Sequence, residues 1–308
     1  MGKGGDINIK AESLTLIEGA QLQTLIRKAD ANLPAGRGNA GNVNLDVLGK
    51  VAIAGAKDEL SSGILSNVET GAIGNGGNIN IKSGSFELSN GAQLSSSTFG
   101  QGNAGSVAIQ VSNAVSLAGK NTTIFSNVES GGIGKGGDIN IKAESLALTE
   151  GAQLQTSIKK ADANLPAGHG NAGNVNLDVL GKVTITGTKD ELSSALFSSV
   201  QTGGIGNGGN INIKSGSFEL SNAAQLISST FGQGNAGSVA IQVPNAVSLA
   251  GKNTAIFSDV ESGGMGKGGD INIKAGSLAL TEGAQLQTLI KKAGTNLPAG
   301  RGDAGVPH

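Results

Sequence analysis

The sequence predicts an all-β chain wound as a parallel β-helix, a solenoid, and three observations predict it. A glycine-headed phrase recurs along the chain, apolar and polar residues alternate after each head, and the unit between heads is close to thirty residues.

The heads come first. The phrase G-x-[GA]-G-x-[IV]-x-[ILV] starts at Gly2, Gly38, Gly74, Gly102, Gly134, Gly170, Gly206, Gly234 and Gly266, and a further copy begins at Gly302. The spacings run 36, 36, 28 and 32, then repeat. Four units therefore form a long repeat of 132 residues: residues 2–133, residues 134–265, and a partial third over 266–308. The whole of 1–308 reads as one array of about nine to ten three-stranded coils.

Within a unit the strands follow in order. In Gly74–Gln101, Ile79 and Ile81 face one side and Asn80 and Lys82 the other; Phe86 and Leu88 follow in phase, and Leu94 comes after a Gly-Ala corner. The first unit repeats this with Ile7 and Ile9, Leu14 and Leu16, then Leu22. Period-two alternation is the mark of half-buried strands, and the interspersed glycines exclude long helices. Propeller blades need four strands and about 40 residues or more, so three strands in a shorter unit favour stacked coils. One coil buries too little apolar surface to fold alone, which makes stability depend on stacking. The phrase after each glycine pair carries Asp6, Asn42, Asn78 and Ser106, which predicts a stacked Asn/Asp/Ser corner ladder.

Composition narrows the function. There are 52 glycines, 2% aromatics, no Trp or Tyr, and a net charge of -1. That balance gives no electrostatic footprint for nucleic acid. The absence of cysteine excludes disulfides and zinc-thiolate sites. No apolar run approaches the length of a transmembrane helix, and Met1 leads straight into a repeat phrase without a secretory signal. Met1 aligns with Ile133 and Met265, so the chain reads as a segment of a longer array with open ends, prone to end-to-end self-association.

Coils differ at two insertions. One is "RKADANLPAGR", Arg27–Arg37, which returns at Lys159–His169 and Lys291–Arg301; the other is "GAKDELSSG", Gly55–Gly63, which returns at Gly187–Ala195. Insertions in solenoids often mark a binding face, so Lys28, Asn32, Lys160, Asn164, Lys292 and Asn296 are the candidates for ligand contact. Set against that is a plain surface decoration shared through duplication.

Catalytic, cofactor and metal motifs are not expected. "GIGNGG", Gly204–Gly209, fits G-x-G-x-x-G but precedes a strand where a dinucleotide site needs a helix. The aspartate-per-turn pattern of calcium-binding β-rolls is not kept. Asp58-Glu59 and Asp190-Glu191, with the loop lysines, are the candidate groups for a polysaccharide-cleaving enzyme, and they recur as modules where an active site would be unique. His169 replaces Arg37 and Arg301, and His308 is terminal. "RGD" at Arg301–Asp303 stands where the other copies read "RGN" and "HGN", and "NTT" at Asn121–Thr123 loses its glycosylation pattern in the copy at Asn253–Ala255.

The stretch "GNGGNINIKSGSFELSNGAQLSSSTFGQGNAGSVAIQV", Gly74–Val111, resembles the repeats of filamentous-haemagglutinin-like exoproteins of two-partner secretion, especially the cyanobacterial type. The resemblance extends over nearly the whole chain. It implies a right-handed parallel β-helix displayed outside the cell, threaded through an outer-membrane transporter partner. The expectation is a structural, adhesive rod contacting surface glycans or other cells, with a β-helix carbohydrate-active enzyme as the alternative.

Overall fold

The computed structural model describes residues 2–295 and 297–306. The expectations attached to Met1, Asn296 and His308 lie outside the described residues. The strands form a β-solenoid of nine coils with three parallel sheets of nine strands each. Each coil gives one strand to each sheet. In the third coil these are Ile79–Ser83, Ser85–Ser89 and Gln93–Ser95.

The alternation seen in the sequence becomes a set of stacked columns. Ile7, Val43, Ile79, Val107 and Ile139 are register partners in the first sheet. Phe86 pairs with Val51 and Val115 in the second, and Leu94 with Ile64 and Ile124 in the third. Apart from Ile7 in the first coil, which is half-buried, these side chains are at most 2% exposed, and one continuous core runs through the rod. Aliphatic residues suit it because each must pack against a like residue one strand spacing, about 4.8 Å, above and below.

Polar ladders fix the corners. The side-chain oxygen of Asp6 accepts the backbone N–H of Asn42, Asn42 that of Asn78, and Asn78 that of Ser106, at 2.7–2.9 Å. The same relay continues through Asp138, Asn174, Asn210, Ser238 and Asp270 to the N–H of Val306. The expected Asn/Asp/Ser ladder is thus present along the full rod.

A second polar line lies inside, where the third strand turns toward the next head. Ser66, Ser96, Ser126, Ser198, Ser228 and Ser258 are fully buried. Ser96 Oγ donates to the Gly77 carbonyl at 2.7 Å, and Ser126 Oγ to that of Gly105 at 2.7 Å. Each hydroxyl ties a coil to a glycine corner that would otherwise hold an unpaired buried carbonyl.

Those corners require glycine. At Gly206 φ is +133°, and a Cβ would sit 1.3 Å from the Gly170 carbonyl oxygen. The G-x-x-G of the heads is therefore a close-approach device between coils, followed by a strand and not by a helix.

Candidate functional site

A groove of about 660 Å³ runs along the outer face of the first sheet, crossing six coils. A second hollow of about 400 Å³ continues it through Asn212, Lys214 and Gln242. The groove is built by the polar halves of the alternating strands. Residues facing the core are Ile, Leu or Val, so the residues between them face outward in register.

Two outward rows result. One reads Asn8, Asn44, Asn80, Ala108, Asn140, Asn176, Asn212, Ala240 and Asn272. The other reads Lys10, Asp46, Lys82, Gln110, Lys142, Asp178, Lys214, Gln242 and Lys274. Within the first row the amides form ladders. Asn44 Nδ2 donates to Asn8 Oδ1 and Asn80 Nδ2 to Asn44 Oδ1, both at 2.8 Å, and Asn140, Asn176 and Asn212 repeat this. Each ladder uses one N–H and one lone pair per amide, leaving a second N–H and a second lone pair on the inner members for a ligand. In the second row, Lys10 and Asp46 approach to 3.9 Å, with both side chains more than half exposed. A contact of that length in water holds neither group strongly.

The sequence reading placed ligand contact elsewhere, on the inserted loops. The structure puts these loops at the corner between the third sheet and the following head. Lys28, Asn32, Lys160, Asn164 and Lys292 are all exposed, while Asn296 lies outside the described residues. Their backbones are engaged locally. Asp30 Oδ1 accepts the N–H groups of Asn32 and Leu33 at 2.9 Å, and Asp162 does the same for Asn164 and Leu165 at 2.8 Å. Leu165 packs over Gly131 of the preceding coil, and the Gly131 N–H donates to the Pro166 carbonyl at 2.7 Å. The loops thus clip successive coils together. The lysines stand four coils apart, about 19 Å at one strand spacing per coil.

The other insertion is a small hairpin. Ala56–Lys57 pairs antiparallel with Leu60–Ser61, and Asp58 and Glu59 form the turn with φ of +49° and +66°. Asp190 and Glu191 repeat it at +47° and +67°. The carboxylates are therefore exposed turn residues, and Lys57 and Lys189 pair with Glu18 and Glu150 beside them. The RGD glycine, Gly302, is a stacked head whose Cβ would lie 1.5 Å from the Gly266 carbonyl oxygen. Among the described residues no three His, Asp or Glu side chains gather as metal ligands.

Perturbed ionisable groups cluster at one corner column. Burial pushes the Glu129 carboxyl above its ordinary range against the opposing pull of Lys159, and burial lowers the Lys159 ammonium. One long repeat later the cluster is Asp259, Glu261 and Lys291. Burial raises both carboxyls, although Lys291 Nζ lies 2.9 Å from Glu261 and Gln287 donates to Asp259 at 2.5 Å. Asp259 stands where the earlier repeat has Asn127. These groups brace the corner between neighbouring coils.

Sequence reading missed the groove, although its signal was present. The fourth residue of each "INIK", "VNLD" and "VAIQ" strand supplies the charge row.

No family model matches the chain, and no curated protein matches it. Among solved structures, a TibC-catalysed hyper-glycosylated TibA fragment aligns over 90% of this chain and 100% of that one, at 15% identity and a TM-score of 0.17. That likeness is too slight to carry an argument.

Proposed function

We propose that the chain is a rod segment of a secreted or surface-exposed protein, of the filamentous-haemagglutinin-like kind, whose long polar face makes surface contacts. The observation that carries this reading is the repetition of the groove itself. Its outward row of Lys, Asp, Lys and Gln recurs with the four-coil period, and no position in it is unique. An active centre needs one constellation of groups poised around one reacting bond. A periodic face instead offers many equal contacts whose weak affinities multiply along a polymer or a cell surface.

The sequence resemblance supplies the route: export through an outer-membrane transporter partner, with the rod held at the cell surface. The absence of cysteine is consistent with passage as an unfolded chain.

The test is labelling of intact producing cells with an antibody to the chain, before and after protease shaving, alongside adhesion of a deletion strain. Surface label lost on shaving, with reduced adhesion in the deletion strain, supports the rod. Label seen only after lysis overturns it. Release of reducing or unsaturated sugar ends from a polysaccharide by the purified chain would favour the enzyme reading.

A further inference from the structure

From the groove we infer a ligand class: an extended, linear acidic polysaccharide that presents one carboxylate for every two sugars to the face of the first sheet. The inference rests on the surface-rod reading for its setting and on the groove's charge spacing for its chemistry.

The lysines of the groove are Lys10, Lys82, Lys142, Lys214 and Lys274, one on every second coil. Two strand spacings separate neighbours by about 9.6 Å. Between them stand Asp46, Gln110, Asp178 and Gln242 in alternation. A ligand running along the rod meets an ammonium at each odd coil and a carboxylate or amide at each even one. An acid at every coil would be set against Asp46 and Asp178, so the facing groups must alternate between charged and neutral. Two sugars of an extended chain cover a length of this order, which brings acids to the lysines and hydroxyls to the positions between.

The second row completes the match. The ladder amides of Asn44, Asn80, Asn140 and Asn176 hold their planes fixed by bonding each other. Fixed amides with a free N–H and a free lone pair suit hydroxyls, which both donate and accept. Nucleic acid fits less well. No aromatic side chain lines the groove for base stacking, and the lysine row is interrupted by carboxylates.

Alternation on one face arises in two ways. The polymer either alternates acidic and neutral sugars, or is a polyuronate whose successive residues flip to opposite sides. Hyaluronan oligosaccharides represent the first and polymannuronate oligosaccharides the second, with dextran as the neutral control and poly-L-glutamate as the non-sugar polyanion. Binding to the 308-residue chain is measured by titration calorimetry at low and high salt. At least one acidic sugar polymer should bind, with affinity falling as salt screens the lysines. Lys82→Gln, Lys142→Gln and Lys214→Gln together should weaken binding about tenfold or more, as expected for losing several charge contacts. The charge-matched set Lys28→Gln, Lys160→Gln and Lys292→Gln on the loops should change it by less than about twofold. Asp46→Asn with Asp178→Asn should strengthen it. Equal binding of dextran, equal binding of poly-L-glutamate, no binding of either acidic sugar polymer, or an equal loss in the loop variant overturns the inference. The cell-labelling result is independent of all of these, so the groove can fail while the surface rod stands.

Discussion

Single side chains on the rod are tested by comparing a position with its copies. Thr230 Oγ1 is a buried side-chain atom without a hydrogen-bond partner among the described residues, between Val200 and Val260 in a corner column of Val and Ile. The other threonine of that column is Thr98, the copy one long repeat earlier, where Oγ1 donates to the Gly100 carbonyl at 3.3 Å. Thr230→Val keeps the shape and removes the unpaired hydroxyl, so it should raise stability by about 1–2 kcal/mol, read from urea midpoints. Asp259 offers a sharper case, because the earlier repeat carries Asn127 there. Burial raises the Asp259 and Glu261 carboxyls, so the folded chain holds more protons than the unfolded one above the ordinary carboxylate range. Their stabilising contribution is full below that range and is lost as pH rises through the raised values. Asp259→Asn should therefore stabilise the chain near pH 7 by about 1–2 kcal/mol, a typical scale for a buried polar exchange. It should also flatten the decline between about pH 4 and pH 7, the span above the reference carboxylate values. Equal urea midpoints for the variant and the parent at both pH values would refute this.

At the scale of elements, the corners and strands differ in how openly the sequence announces them. The head glycines are legible because their spacing recurs and because a carbonyl of the neighbouring coil fills the place of a Cβ. Gly206→Ala must push coils apart at a fixed-φ corner, and a loss of about 3 kcal/mol or more is expected in urea denaturation. The Asp6–Asn42–Asn78 ladder was legible for a related reason, since short polar side chains after a glycine pair have backbone N–H groups within reach. The buried serines were not legible. Alternation ends at the corner, so Ser66 and Ser96 look like surface residues until the glycine carbonyls they bond are placed beside them. The groove was only half legible. Alternation shows that Asn80 and Lys82 face outward, but their alignment with Asn44 and Asp46 depends on register across coils of unequal length. That register holds because the insertions are absorbed in the Arg27–Arg37 loop and the Ala56–Ser61 hairpin, outside the three sheets. The same insertions are what single out the loops in the sequence, whereas the face they leave undisturbed carries no such mark.

For the whole molecule, nearest-neighbour stacking makes the two end coils unlike the rest. Leu278 and Leu280 are 47% and 41% exposed, whereas Leu146 and Leu148, one long repeat earlier, are 2% and 0% exposed. At the other end Ile7, Ile9, Leu14 and Leu22 are only partly covered. In a polypeptide limited to residues 1–308, the outer faces of the first and ninth coils would present strand backbone groups as a template for another chain. A polypeptide of residues 1–308 should therefore associate end to end, because docking one end on another continues all three sheets and buries both apolar faces. Sedimentation velocity should show a weight-average size that grows with concentration. Leu278→Lys with Leu280→Lys places two charges on one open face, where long side chains can reach water past the coil edge. That variant should remain monomeric over the same concentration range while keeping the parent's β-sheet circular dichroism. A 1–308 polypeptide that stays monomeric at every concentration would refute the end-to-end docking.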